Sequence, residues 1–169
     1  MTHQMRNVLF LCTGNSARSI LAEAILNRLG EGRFKAYSAG SLPAGKVNPY
    51  AISLLQEKGF PVEGLRSKSW DEFAPTREPV MDAIITVCDN AAGESCPHWP
   101  GHPITAHWGI PDPAGVDGTG DKKEQAFEYA YERLSKRIEV LLALPLQELD
   151  DANLKLKLVA IGQINDGKI

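Results

Sequence analysis

The chain has 169 residues, 43% of them hydrophobic, a size that predicts one domain with a sizeable core. Its net charge is -3, from 18 basic and 21 acidic residues with no long run of either sign, so we expect neither nucleic acid nor an anionic membrane as a partner. Because no apolar stretch reaches the length of a bilayer span and the N-terminus lacks the pattern of a secretory signal, we expect a cytoplasmic protein.

The first strand and the first helix are predicted on either side of a short polar loop. An apolar run over residues 8–11 is typical of a strand, and from Ile20 the apolar residues recur at the spacing of one helical face. The loop between them reads Cys12, Thr13, Gly14, Asn15, Ser16, Ala17, Arg18 and Ser19. A strand-to-helix loop of this kind turns backbone N–H groups inward and has a helix N-terminus behind it, so it predicts an anion site.

A cysteine and an arginine in this loop, separated by five residues, carry the predicted chemistry. The helix N-terminus and the Arg18 guanidinium favour the thiolate of Cys12, which is the form that attacks. Arg18 also offers a planar fork that matches the oxygens of phosphate or arsenate. We expect Gly14 and Asn15 to adopt left-handed or other unusual backbone angles, and Ser19 to donate its hydroxyl to the sulfur. A buried structural cysteine is the alternative, which the joint spacing disfavours.

The next elements follow from local signals. A second strand is predicted over residues 34–38. Asn48 as N-cap and Pro49 as the first helical residue open a helix, and Gly59 is expected to end it. A turn-rich segment follows, with one short helix predicted over residues 70–73.

The second half of the chain contains two predicted strands and a long helix. Residues 83–87 form a continuous apolar run, typical of a strand in a parallel sheet buried on both faces. A long segment rich in Gly and Pro follows, with a short strand over residues 104–106. Apolar residues at helical spacing then predict a long amphipathic helix that Pro145 ends, and one more short helix is expected beyond it.

This order predicts an α/β fold with three α/β/α layers and a small, mainly parallel sheet. We assign residues 1–145 to the domain and residues 146–169 to a C-terminal extension packed on it. Ligands of such folds bind at the carboxyl ends of the strands. Cys12 and Cys88 each follow or end a predicted strand, so we expect them at the same edge of the sheet.

Several stretches resemble the low-molecular-weight protein tyrosine phosphatase fold and, within it, the thiol-coupled arsenate reductases. The matching stretches are the loop from Cys12 to Ser19, Tyr37-Ser38-Ala39-Gly40, Val87-Cys88 through Cys96-Pro97, His107-Trp108-Gly109 and Asp112-Pro113-Ala114. The resemblance implies that Cys12 attacks arsenate, that Arg18 and the loop amides hold the oxyanion, and that Asp112 protonates the leaving oxygen.

The resemblance also implies a relay of three thiols for arsenic detoxification. Cys88 attacks the arsenic adduct on Cys12 and releases arsenite, and Cys96 then moves the disulfide to Cys88 and itself. Because arsenate gains two electrons, an external reductant must restore the thiols, either thioredoxin or glutaredoxin with glutathione. Seven residues separate Cys88 from Cys96, one more than we expect in the thioredoxin-coupled enzymes. We expect a monomer without a tightly bound cofactor.

Some relatives bind a potassium ion near the loop. Asn15, Glu23 and Ser38 match positions that hold it, but Ser69 stands where a carboxylate is expected. We therefore predict no metal.

Two other functions remain open. A low-molecular-weight protein tyrosine phosphatase would use Cys12, Arg18 and Asp112 through a cysteinyl-phosphate, although no aromatic residue adjoins Asp112-Pro113 to stack on a phenyl leaving group. A metal or metalloid site is the third hypothesis, although its spacings do not match ordinary zinc modules. Its candidate ligands are Cys88, Cys96, His98, His102 and His107.

Overall fold

A computed structural model describes residues 6–73, 81–87, 104–111, 113 and 118–164. Within them, a four-stranded parallel sheet has the order β2-β1-β3-β4. The strands are β1 (Arg6–Cys12), β2 (Phe34–Gly40), β3 (Ala83–Thr86) and β4 (Ile104–His107). The α-helices are α1 (Arg18–Leu29), α2 (Pro49–Glu57), α3 (Gly120–Leu142) and α4 (Asp151–Gly162).

The central strand β1 determines where the sheet is buried. Five successive residues of β1, from Val8 to Cys12, are buried, because β2 and β3 flank the strand and side chains cover both faces. β2 continues two residues beyond the predicted end at Ser38, since Ala39 pairs with Leu11 and Gly40 pairs with Cys12. The predicted α/β class with a parallel sheet is confirmed.

The two faces of the sheet carry different layers. Val8, Phe10 and Cys12 point into the larger core, which the buried faces of the four α-helices complete. Leu9 and Leu11 point to the opposite face. Among the described residues, a short 3-10 turn, Trp70–Glu72, and its neighbours cover that face. The buried hydrophobic cluster there consists of Leu9, Leu11, Ala39, Phe73, Met81 and Ile84.

The two ends of α2 follow the predicted local rules, whereas α3 ends at Leu142, before the predicted end at Pro145. The Asn48 side chain accepts a hydrogen bond from the Tyr50 N–H at 2.9 Å, and Pro49 is the first residue of α2. Gly59, with φ +82°, follows the helix end in the left-handed region. Helix α3 buries one face at helical spacing, and α4 packs against β4 and α3. No helix in the described ranges is both long and apolar enough to cross a membrane.

Candidate active site

Cys12 and Arg18 lie at the two ends of the loop that connects β1 to α1. Cys12 is the last residue of β1 and is only 4% exposed, and Arg18 is the first residue of α1. Since β1 lies inside the sheet, this loop emerges at the carboxyl edge, between the ends of β2 and β3. Ligands of parallel α/β sheets bind at this edge.

Residues 41–48, here named the supporting loop, donate backbone hydrogen bonds to carbonyl oxygens of the Cys12 loop. The N–H groups of Leu42, Ala44 and Asn48 donate to the carbonyl oxygens of Thr13, Gly14 and Ser16 at 3.0, 2.9 and 2.9 Å. A trans peptide unit directs the next N–H group opposite to its carbonyl. The N–H groups of Gly14, Asn15 and Ala17 are therefore directed away from the supporting loop. Backbone donors arranged in this way can bind an anion.

Asn15 holds the bend of the loop. Its φ of +46° places it in the left-handed region, and its side chain is fully buried. The side-chain oxygen accepts from the Lys68 N–H at 2.8 Å, and the side-chain nitrogen donates to Ser19 Oγ at 2.8 Å. Because that bond uses the Ser19 hydroxyl as an acceptor, the Ser19 proton is left for another acceptor, as the expected donation to the sulfur requires.

The left-handed backbone angle expected for Gly14 is not found. Gly14 is not among the residues in the left-handed region, and a Cβ added to it would meet only Ser16 Oγ, at an ordinary contact distance of 3.7 Å. Of this pair only Asn15 lies in the left-handed region, and its side chain makes the two bonds that compensate for that angle.

Gly40 allows the end of β2 to approach the Cys12 loop closely. A Cβ at Gly40 would lie 2.4 Å from the Thr13 carbonyl oxygen and 2.9 Å from that of Cys12, closer than real Cβ atoms come to other atoms. The Gly40 N–H also donates to the Lys68 carbonyl at 2.9 Å. A glycine is therefore required here by contact rather than by a left-handed backbone.

The first turn of α1 contains both Arg18 and the first backbone N–H groups of the helix. Ala17 is the N-cap residue, and no side chain of the described residues caps the helix there. The first N–H groups of a helix need acceptors, and the helix dipole makes an anion a favourable one. Arg18 Nη1 donates to the Ile110 carbonyl oxygen at 3.0 Å, so its guanidinium connects the Cys12 loop to the segment that follows β4.

A buried polar cluster of Glu23, Ser38 and Lys68 lies behind the loop. Ser38 Oγ donates to Glu23 Oε1 at 2.6 Å, and Lys68 Nζ lies 3.7 Å from the same oxygen. Burial raises the pKa of the Glu23 carboxyl, and the Lys68 ammonium opposes this rise. Burial lowers the pKa of Lys68, which the Glu23 carboxylate opposes. For both groups the loss of hydration outweighs the attraction between them.

Lys68 was not among the residues predicted from the sequence. Its ammonium and its backbone N–H contact Glu23 and Asn15, two of the positions matched to a potassium site. Ser69, the departure from that pattern, accepts from the Asp71 N–H at 3.1 Å and caps the short 3-10 turn. A basic residue next to Ser69, in a chain otherwise matching a cation site, was the available signal.

Three predicted site residues, Cys88, Cys96 and Asp112, lie outside the described residues, as do His98 and His102. The chain just before Cys88 is described. The Val87 N–H donates to the Leu11 carbonyl at 2.9 Å, so β1 and β3 end at the same edge of the sheet. Of the predicted metal ligands only His107 is described, and its Nδ1 lies 2.7 Å from Thr86 Oγ1.

These features together suit the binding of a tetrahedral oxyanion next to the sulfur of Cys12. The loop from Cys12 to Arg18 combines backbone N–H groups, the N-terminus of α1 and the Arg18 guanidinium with the Cys12 sulfur at the end of β1. The same positive field favours the thiolate of a cysteine. The described geometry is compatible both with hydrolysis of a phosphate ester and with reduction of an oxyanion.

The sequence matches known proteins over most of its length. The family profile described as Low molecular weight phosphotyrosine protein phosphatase matches residues 7–155. An arsenate reductase of Bacillus licheniformis is 34% identical over 134 residues, which are 79% of this chain and 93% of that protein.

Solved structures show the same fold. A structure described as an arsenate reductase in the phosphate binding state has a TM-score of 0.67 and 28% identity, covering 82% of this chain and 98% of that one. A thioredoxin-dependent arsenate reductase of Corynebacterium glutamicum has a TM-score of 0.53 and 26% identity, covering 82% of this chain and 64% of that one.

Proposed function

Because the chain belongs to the low molecular weight phosphotyrosine protein phosphatase family, we propose that it is an arsenate reductase that converts arsenate to arsenite with electrons from thiols. The observation that carries the proposal is the outward turn of the Thr13, Gly14 and Ser16 carbonyls beside Cys12, in a chain 34% identical to a protein named arsenate reductase. Arsenate, like phosphate, is a tetrahedral anion that backbone N–H groups and a guanidinium fork bind well.

In the first step the Cys12 thiolate attacks arsenic. A bond forms between sulfur and arsenic, and one arsenate oxygen leaves as water after it receives a proton. Arg18 and the loop amides hold the other oxygens and balance their charge. We assign the proton to Asp112, whose place before Pro113 favours an extended backbone.

In the second step a second thiol supplies the reducing electrons. The Cys88 thiolate attacks Cys12 Sγ, a disulfide forms, and the bond between sulfur and arsenic breaks with its electron pair remaining on arsenic. Arsenic is thereby reduced from As(V) to As(III) and leaves as arsenite. The parallel pairing of β1 with β3 supports this step, since Val87 lies beside Leu11 and Cys88 is the next residue in the sequence.

In the third step the disulfide moves away from the oxyanion site. The Cys96 thiolate attacks Cys88, so Cys12 is released as a thiolate and a disulfide remains between Cys88 and Cys96. An external dithiol then reduces that disulfide. The likeness to a thioredoxin-dependent enzyme supports thioredoxin, and glutaredoxin with glutathione is the alternative.

The test is consumption of reducing equivalents on addition of arsenate. We expect the purified protein to oxidise NADPH through thioredoxin and its reductase, or through glutaredoxin with glutathione, only when arsenate is present. The Cys88→Ser variant should abolish this turnover while keeping Cys12 and the oxyanion loop. No arsenate-dependent consumption with either system would refute the proposal.

A second candidate is a protein tyrosine phosphatase that acts through a cysteinyl-phosphate on Cys12. It is supported by the description of the matching family and by the described site, since that chemistry also uses Cys12 as nucleophile and Arg18 to bind the oxyanion. Hydrolysis of an aryl phosphate at the same rate in wild type and Cys88→Ser, without arsenate reduction, would favour it.

A further inference from the structure

The segment that follows β4 packs against the C-terminal helix α4. Trp108 is fully buried, and its Nε1 donates to the Leu158 carbonyl oxygen at 2.8 Å. Gly162 lies against the end of β4, because a Cβ there would be 2.1 Å from the His107 carbonyl oxygen and 2.8 Å from Trp108 Cδ1. The helix therefore approaches the strand end as closely as a glycine permits.

Arg137 on α3 joins the same segment to the end of α4. It is a cation with only 4% of its surface exposed. Its Nη1 donates to the carbonyls of Trp108 and Gly109 at 3.0 and 3.2 Å, and its Nη2 donates to the Ile164 carbonyl at 3.3 Å. Burying a permanent charge is costly, and such bonds to backbone carbonyls offset that cost. Arg137 therefore holds the backbone of Trp108 and Gly109 in place, because a displacement would break the hydrogen bonds that offset the burial of its charge.

The next carbonyl in this segment holds the arginine of the oxyanion site. Ile110 is buried, and its carbonyl oxygen accepts from Arg18 Nη1 at 3.0 Å. A continuous set of contacts thus runs from Leu158 and Ile164 through Trp108 and Arg137 to Ile110, and from there to Arg18.

We propose that Arg137, Trp108 and helix α4 form a brace that positions the Arg18 guanidinium for a tetrahedral oxyanion. The inference rests on the proposed function only in that Cys12 and Arg18 bind such an anion. A guanidinium already held in one orientation loses less side-chain entropy when the anion binds. Arg137 and Trp108 are positioning residues, since they act through Ile110 and Arg18.

The test measures how well inorganic phosphate protects Cys12 from iodoacetamide. In a Cys88→Ser, Cys96→Ser background Cys12 is the remaining thiol of the three in the chain, so alkylation followed by mass spectrometry reports on it alone. Trp108→Phe removes the N–H donor and keeps an aromatic ring, and Arg137→Lys keeps the charge and loses the fork. We expect each variant to raise the phosphate concentration for half-protection about tenfold, which corresponds to about 1.4 kcal/mol.

The control separates positioning from general stability. Ile138→Val alters a fully buried neighbour of Arg137 on the same helix and should leave half-protection unchanged, with all variants folded by circular dichroism. In an Arg18→Lys background, Trp108→Phe and Arg137→Lys should cause no further loss, because the brace acts through Arg18. An equal loss in that background, or none with Arg18 present, would overturn the brace. Phosphate protection of the parent, together with no arsenate reduction by the wild-type protein, would reject the reductase alone. A parent that phosphate does not protect would reject both the reductase and the brace.

Discussion

The backbone N–H of Lys68 donates to the side-chain oxygen of Asn15 at 2.8 Å, although the two residues are 53 positions apart in the sequence. The bond holds Asn15 at φ +46° and thereby sets the bend of the Cys12 loop. It also brings the Lys68 ammonium to 3.7 Å from the buried Glu23 carboxylate. The shape of the proposed oxyanion site therefore depends on a segment far from it in sequence.

Asn15→Ala should destabilise the protein and weaken oxyanion binding. It removes two buried hydrogen bonds and leaves a residue with a Cβ in the left-handed region, so we expect a loss of about 3 kcal/mol in urea unfolding. Asn15→Gly is the matched control, since glycine accepts this backbone angle, and it should recover about 1 kcal/mol of that loss. Equal stability of the two variants would show that the backbone angle contributes nothing.

Gly40→Ala should disrupt the Cys12 loop through a direct contact. The added Cβ would lie 2.4 Å from the Thr13 carbonyl oxygen, and we expect the strain to cost about 1–3 kcal/mol and to weaken phosphate protection of Cys12. Gly32→Ala is the control, because Gly32 has φ +86° and open space around it. It should lose about 1–2 kcal/mol and keep full protection. Full protection in Gly40→Ala would argue against the close packing of β2 on the loop.

Gly162→Ala should separate α4 from the end of β4. A Cβ 2.1 Å from the His107 carbonyl oxygen forces the helix to move, and we expect a loss of about 1–3 kcal/mol in thermal or urea unfolding. Ala160→Gly, an exposed change in the same helix, should cost about 1 kcal/mol through backbone entropy and should not disturb the contact. The packing is contradicted if Gly162→Ala is as stable as wild type.

Glu23 should make stability depend on pH in a defined direction. Because burial raises its pKa, the folded chain retains a proton at this carboxyl where the unfolded chain has lost it. The stabilisation is complete below the ordinary glutamate value of 4.5 and is lost as pH rises through the raised pKa. The stability of wild type minus that of Glu23→Gln should therefore fall as pH rises above 4.5, by at most about 1.4 kcal/mol per pH unit.

The measurement is urea unfolding at several pH values in one buffer series. Lys68→Met is the companion variant, since removal of the ammonium takes away the opposing charge and should extend the fall to higher pH. A difference between wild type and Glu23→Gln that stays constant, or that grows with pH, would show that Glu23 is not held in this environment.

Much of the fold was predictable because its signals are local. Asn48, Pro49 and Gly59 mark the two ends of α2 through capping and backbone rules that act within a few residues. The apolar runs at residues 8–11 and 83–87 predicted the strands β1 and β3. The second run also predicted a parallel strand buried on both faces.

The contacts that complete the site were not predictable, because they join residues distant in sequence. Lys68 looks like an ordinary surface lysine, and Arg137 looks like part of the polar face of an amphipathic helix, yet both are buried. Gly40 and Gly162 are required by close approaches between elements, which no local pattern encodes. The loop motif predicted the Cys12 site, while the residues that support it became visible only in three dimensions.

The central claim is that arsenate reduction forms two disulfides in a fixed order, first between Cys12 and Cys88 and then between Cys88 and Cys96. The most direct measurement is a single turnover with arsenate and no external reductant, followed by quantification of arsenite and disulfide mapping by mass spectrometry. We predict one arsenite per chain, with a disulfide between Cys88 and Cys96 in wild type and one between Cys12 and Cys88 trapped in Cys96→Ser. Absence of arsenite, with Cys12 still a thiol in both proteins, would contradict the account.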